Sequence, residues 1–373
     1  MAQLSTEEHA LVDELLECIA TAMDRLEDID PKYATKTKLQ KLLYLAVDEF
    51  NLPLTYSWYL AGAVVPSDPV TPSGLESAFD ELPSPDEPTD DAAPADQSVG
   101  TLDEIVESID DSGIQPSHHS GVEPIDPVLF SDKTDSEPDP DPTPSSEEFG
   151  DRRGEIIDFY TSTIPDVWYQ NTMRFLQNFY LDHAPPAYRD FYVQSTHLRT
   201  RLREVETIVA AHLDDEQTAQ SIDDIAKSTS LDISDLHCTI RSSDSLSATF
   251  DGFVRGTDLI EDGLMMLTDR ESASLEQEHL AVIRSMQEFF YYYVWRYPCL
   301  VISQETATGP SADSLRARHQ DRLADFEAEL DRAADQFERE LAAAGLRPDY
   351  TDYTVSNDDV TETIASLADQ YLE

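Results

Sequence analysis

Apolar residues recur at helical spacing along most of this chain, and the pattern predicts a mainly α-helical fold. Val12, Leu16, Ile19, Met23 and Leu26 line one face of a first helix over 5–28, and Ser5 with Glu8 has the spacing of a capping box. A second helix runs from about Thr37 to Phe50, with Leu39, Leu42, Leu43, Ala46, Val47 and Phe50 sharing a face. Beyond Asn51 and Pro53 a short apolar run, Tyr56 to Val65, fits an extended segment or a further buried helix, and periodicity does not separate the two. From Asp151 aromatic-rich helices follow: EIIDFYTSTI, then PDVWYQNTMRFLQNFYLDH, then one from about Pro186 in which Leu198, Leu202, Val205, Val209 and His212 repeat. Residues 217–270 carry only short helical patterns. A tyrosine-rich helix over 279–297 leads into CLVIS, whose branched residues suggest a strand. A last long helix, 312–345, keeps a heptad-like rhythm through Leu315, His319, Leu323, Phe326, Leu330, Ala333, Phe337, Leu341 and Ala344, and stops at Gly345. Such a stripe serves self-association or a helical hairpin within one chain.

Composition divides this pattern into segments. Residues 66–150 hold 14 of the 22 prolines and 23 acids against one lysine, Lys133, with SEPDPDPTPSSEE as the extreme. Too little apolar surface is available there to offset chain entropy, so a disordered linker or insertion is expected. Two islands, GLESAFDEL and GTLDEIVESID, are the alternatives, as docking motifs. The expected organisation is an N-terminal helical segment 1–65, the linker 66–150, an aromatic helical core 151–303, and a C-terminal part 304–373.

The charge is extreme. Against 25 Lys and Arg stand 76 Asp and Glu, a net −51 spread over nearly every segment. Acids coating helix faces resemble the surfaces of proteins kept soluble in molar salt. Cys18, Cys238 and Cys299 are far apart and give neither a disulfide framework nor a paired metal half-site, which fits a reducing cytoplasm. The first residues show no basic and apolar leader pattern, and the most apolar stretch carries Arg284, Glu288 and Arg296, so no membrane span is expected. Phosphate-loop, dinucleotide-binding, nucleophile-elbow and paired-histidine zinc signatures do not occur. These features point away from catalysis, imply no cofactor or metal, and favour a protein that acts by binding.

Four of the six lysines break the acidic bias together: Lys32, Lys36, Lys38 and Lys41, at the start of the second helix. Cations at a helix N-terminus oppose the dipole by roughly 0.3–1 kcal/mol each, so an anionic group is expected to approach them. Internal salt bridges to the many acids are the alternative. Four phosphate contacts would give a log–log salt slope of about −3.6. At molar salt the Debye length is only about 3 Å. A protein surface therefore suits the cluster better than duplex DNA. Lys36, Lys38, Lys41 and Tyr44 are the expected contact residues, with Leu39, Leu42, Leu43 and Phe50 holding the helix to its domain.

The run KTKLQKLLYLA resembles the opening motif of the Panacea (SocA-like) antitoxin domain. Lys38, Leu39, Gln40, Lys41, Leu42, Leu43 and Tyr44 match its signature helix, and Trp58, Gly62, Ala63 and Val64 occupy the place of its following Trp and Gly-Pro-Val, with Ala63 where proline is usual. The resemblance covers about 30 residues. It implies a helical, non-enzymatic protein that neutralises a partner toxin by direct binding.

A second candidate is SIDDIAKSTSLDISDLHCTI, where Ala226, Leu231, Leu236 and Ile240 fit the buried positions of a helix-turn-helix over 221–241. Its reading helix would present Asp232, Asp235 and His237 to phosphates, so an ordinary pair of short helices competes with a DNA-binding regulator. His237 and Cys238 read as core residues, FFYYYVWRY as a helix packed on two sides, and the arginines of HLRTRLRE as paired locally with Glu204 and Glu206.

Overall fold

Ser5 opens the first helix as its spacing predicts: its hydroxyl accepts from Glu8 N, and the Glu8 carboxylate returns to Ser5 N at 2.9 Å. The computed structural model describes residues 4–26, 29, 35–60, 62–66, 146–214, 218, 221–268, 270 and 274–348. The helix α1 (Thr6–Asp24) is followed by α2 (Lys36–Phe50) and a hairpin of β1 (Ser57–Tyr59) and β2 (Gly62–Val64). After it come α3 (Ser146–Trp168), α4 (Thr172–His183), α5 (Arg189–Leu213), α6 (Ile222–Ser242) and α7 (Phe250–Thr268). The chain continues through α8 (Gln277–Phe289), a π-turn over Phe290–Val294, α9 (Arg296–Thr306) and the long α10 (Ala312–Ala343). The fold is mainly α. The expected linker 66–150 lies almost wholly outside the described residues.

Tertiary packing decides several boundaries differently from the pattern. The run Tyr56–Val65 is a hairpin, with Trp58 opposite Ala63 and Tyr59 opposite Gly62. Pro165 sits inside α3 rather than opening the next helix. The break comes at Asn171, whose side chain caps Met173 N and Arg174 N. Within 217–270 the described residues form two long helices, α6 and α7, where only short helical patterns were expected. The segment 221–241 is therefore one uninterrupted helix with no turn, which removes the helix-turn-helix geometry. No Gly or Pro interrupts it, and Leu231, assigned there to a buried position, is 69% exposed. CLVIS is helical too. Pro298 falls in the first turn of α9, where the missing N–H costs nothing, and Cys299, Leu300, Val301 and Ile302 are all buried.

The heptad stripe of α10 is used within the chain. Leu315, Phe326, Leu330, Phe337 and Leu341 are buried where α10 packs on α7, α8 and α9, and the Phe337 ring stacks on Phe289 at 4.8 Å. The helix ends in a Schellman motif, with Leu346 N reaching Leu341 O and Gly345 N reaching Ala342 O. Against the π-turn, α7 approaches so closely that a Cβ on Gly256 would stand 2.4 Å from Val294 Cγ2. A continuous buried cluster runs from Leu4 to Leu346, taking in α1, α2, the hairpin and the later helices. The first part of the chain is stapled to the last by Glu8: its buried carboxylate accepts from Thr55 N at 2.8 Å and from the Ser311 hydroxyl.

Candidate functional site

The lysine helix starts at Thr35, whose hydroxyl accepts from Lys38 N at 3.2 Å, and ends at Asn51 in the left-handed region. Leu39, Leu42 and Leu43 are fully buried, and Phe50 is half-buried with its ring edge-on to Phe159 at 5.5 Å. The opposite face is packed as well, because the hairpin lies on it. Lys36 stands exposed at the helix start, whereas Lys38, Lys41 and Tyr44 are buried. Three of the four expected contact residues thus face the interior. The reason is that α2 is covered on both sides, by α3 and by β2, which one-sided periodicity does not reveal.

What those side chains bind is backbone and rings. Lys38 Nζ donates to Trp168 O at 3.4 Å and lies over the Trp168 ring. Gln40 pairs with Val65 through both amide atoms, Nε2 to Val65 O at 3.0 Å and Val65 N to Oε1 at 2.7 Å, as a neighbouring strand would. Lys41 Nζ donates to Ala63 O at 2.9 Å and lies 5.6 Å from the centre of the Phe179 ring. Its exposure is 0%, and burial pulls its amine down from 10.5 to about 7. Tyr44 meets Tyr56, Trp58 and Phe179 edge-on, and burial raises its phenol, with Asp48 and Tyr56 adding to the effect. Trp58 stacks on Phe179, and Gly62, at φ +89°, leaves no room for a Cβ, which would stand 2.7 Å from Tyr180. Within the KLQK motif, Gln40 and Lys41 hold the hairpin to α2, and Lys38 ties the same helix to the end of α3.

A polar chain continues from the hairpin into the C-terminal half. Tyr192 Oη donates to Tyr59 O at 3.0 Å, Arg296 Nε donates to Tyr59 Oη at 2.6 Å, and Ser303 Oγ donates to Ser57 Oγ at 2.7 Å. Ser303 Oγ also lies 3.2 Å from His319 Nε2. A serine beside a histidine has the outline of a nucleophile and its base. Both are inside the core, however, and burial, helped by Arg296 and Arg318, lowers His319 to about 3, too weak a base for that chemistry near neutrality. The pair joins β1, α9 and α10.

On the surface, α7 and α10 flank an open groove of about 390 Å³. Phe250, Val254 and Leu259 supply apolar lining, and Asp251, Asp258, Asp262 and Glu338 supply carboxylates. The two arginines of the groove are already engaged: Arg347 with Asp262 and Glu338, Arg255 with Asp331 and Asp335. Asp251 and Asp258 are exposed. Burial raises the Asp258 carboxyl, His237 opposes the rise, and Glu261 and Asp262 reinforce it. The sequence carried a signal for this face, since positions 251, 258 and 262 recur at helical spacing on α7, but acids are so common here that the repeat did not stand out.

His237 is half-buried, with Nε2 2.7 Å from Thr257 Oγ1, and Cys238 is exposed rather than in the core, because it faces away from the α5–α7 packing of α6. Arg201 pairs with Glu204 as expected, but Glu206 is taken by Arg284 from α8. Among the described residues no three His, Cys, Asp or Glu side chains are grouped to hold a metal ion, and no helix is long and apolar enough to cross a membrane.

Comparison with family profiles matches residues 1–373 to a domain of unknown function (DUF8098). The chain belongs to this family. No Panacea domain is found in it, so the resemblance drawn from KLQKLLY is corrected. No curated protein and no solved structure matches the DUF8098 chain.

Proposed function

We propose that this DUF8098 protein is a non-enzymatic protein-interaction module with a regulatory role, working in a salt-rich cytoplasm and binding a basic partner segment in the α7–α10 groove. The observation that carries the reading is the groove's pairing of an apolar floor with acids beyond those its own arginines engage. An amphipathic segment with Lys or Arg along its edges is complementary to that arrangement. In molar salt the charges act only at contact range, so Phe250, Val254 and Leu259 provide the salt-tolerant part of the affinity. The acid-coated remainder of the surface keeps the chain soluble under the same conditions.

The test is to purify the tagged full chain at molar salt, identify a stoichiometric protein partner, and repeat with Asp251→Lys/Asp258→Lys. Loss of the partner from a variant with unchanged helical content supports the reading. Unchanged retention refutes the assignment of the groove.

A further inference from the structure

We propose that the buried amine of Lys41 is a proton-operated latch on the β1–β2 hairpin, holding it shut when neutral and loosening it when protonated. The geometry carries the inference. Nζ is enclosed and donates to Ala63 O, while Gly62 above it is pressed against Tyr180 and Trp58. Among the described residues no carboxylate forms an ion pair with it. A neutral amine is satisfied there by one carbonyl. An ammonium carries three donors and a full charge, and among the described residues the Ala63 carbonyl is the one acceptor that meets it. The nearest way to hydrate it is to lift the Gly62–Ala63 side of the hairpin. The Gln40 pairing to Val65 and the Tyr192 bond to Tyr59 O hold the two ends of the same hairpin, so they would open with it.

Other titratable groups surround the latch. On α2 itself stand Lys38 and Tyr44, the hairpin brings Tyr56 and Tyr59, α4 brings Tyr180 and His183, and α5 brings Tyr192. Burial raises Tyr44, Tyr56, Tyr59 and Tyr192 above the ordinary phenol value, keeping them neutral through pH 9. The sign follows from linkage. A lysine lowered from 10.5 to about 7 in the closed state weighs fully against closure below pH 7, and that burden is relieved as pH rises toward 10.5. Closure therefore tightens by about fifty-fold between pH 7 and pH 9, and changes by less than about twofold between pH 6 and pH 7.

The test is amide hydrogen exchange of the full chain, read as protection factors for 57–65 so that the intrinsic pH dependence of exchange cancels. In parallel, lysine-labelled protein is titrated by NMR, where six lysines give few resonances. The expected result is a Lys41 midpoint near 7 and a hairpin protection that climbs from pH 7 to 9 while α6 amides stay level. In Lys41→Met the hairpin stays protected at every pH. A Lys41 midpoint above 10, or a climb that persists in Lys41→Met, overturns the latch. If Lys41→Met fails to fold, through-bond assignment of Lys41 in the native chain delivers the same titration, and a midpoint near 7 or above 10 decides for or against the latch.

Discussion

The helices α2 and α10 are both amphipathic, yet they treat charge in opposite ways. The α2 helix is covered on two sides, and two of its lysines are drawn inside to hold backbone carbonyls. The α10 helix is covered along one stripe and turns most of its acids outward, where Asp331 and Asp335 meet Arg255 at the surface. A charged residue on a helix is thus a weak guide to exposure, because a long side chain can carry its head to a carbonyl as readily as to water. What separates the two helices is how many elements pack on each.

The sharpest way to break this contrast is charge reversal on α2. Lys41→Glu would place an uncompensated carboxylate against Ala63 O and should cost about 3–5 kcal/mol in a urea melt at fixed salt, whereas Lys36→Glu at the exposed helix start should change stability by less than about 0.5 kcal/mol. Equal effects would show that both lysines are solvated. On α10 the matching core change is Leu330→Ala, with about 3 kcal/mol lost by the same measurement. A much smaller loss would mean that the stripe is not packed within the chain.

The Glu8 staple gives a smaller effect with a distinct pH signature. Burial pushes its carboxyl up, but hydrogen bonds from Ser311, Thr55 and Ser5 outweigh that and hold it below the ordinary 4.5. A depressed carboxylate contributes stability in full above pH 4.5 and loses it as pH falls through the folded value. Glu8→Gln should therefore lose about 1–3 kcal/mol at pH 7 and converge on the native protein in acid. A constant difference at all pH would show that the staple acts through packing rather than charge. The smallest change is expected at the outward face of α10: Asp331→Asn or Asp335→Asn should shift stability by less than about 0.5 kcal/mol, since each side chain is more than half exposed. A larger loss there would mark the Arg255 pairs as structural.

Much of the fold was legible because helix periodicity is local. The Ser5–Glu8 box, the α2 boundaries, the α10 stripe and its stop at Gly345 all follow from residues within one or two turns. The segments whose pattern misled are those whose partners are distant. CLVIS became helical because it is buried on α10 and the hairpin, and 222–242 stayed unbroken because α5 and α7 pack along its length. The candidate site suffered most. Leu39, Leu42, Leu43, Trp58 and Gly62 were readable as framework, but the direction of Lys38 and Lys41 depended on a hairpin whose strand type the pattern left open.

The sequence by itself determined the helical class, the ends of α2 and α10 and the anionic charge, because spacing, caps and net charge are properties of neighbours or of totals. Only the tertiary structure decided which side of α2 was inside, that a lysine could be sealed beneath Gly62, and that the acids of α7 and α10 border one groove. Those outcomes hang on contacts between residues far apart in the chain, and the energy of burying a charge is set by everything that closes over it.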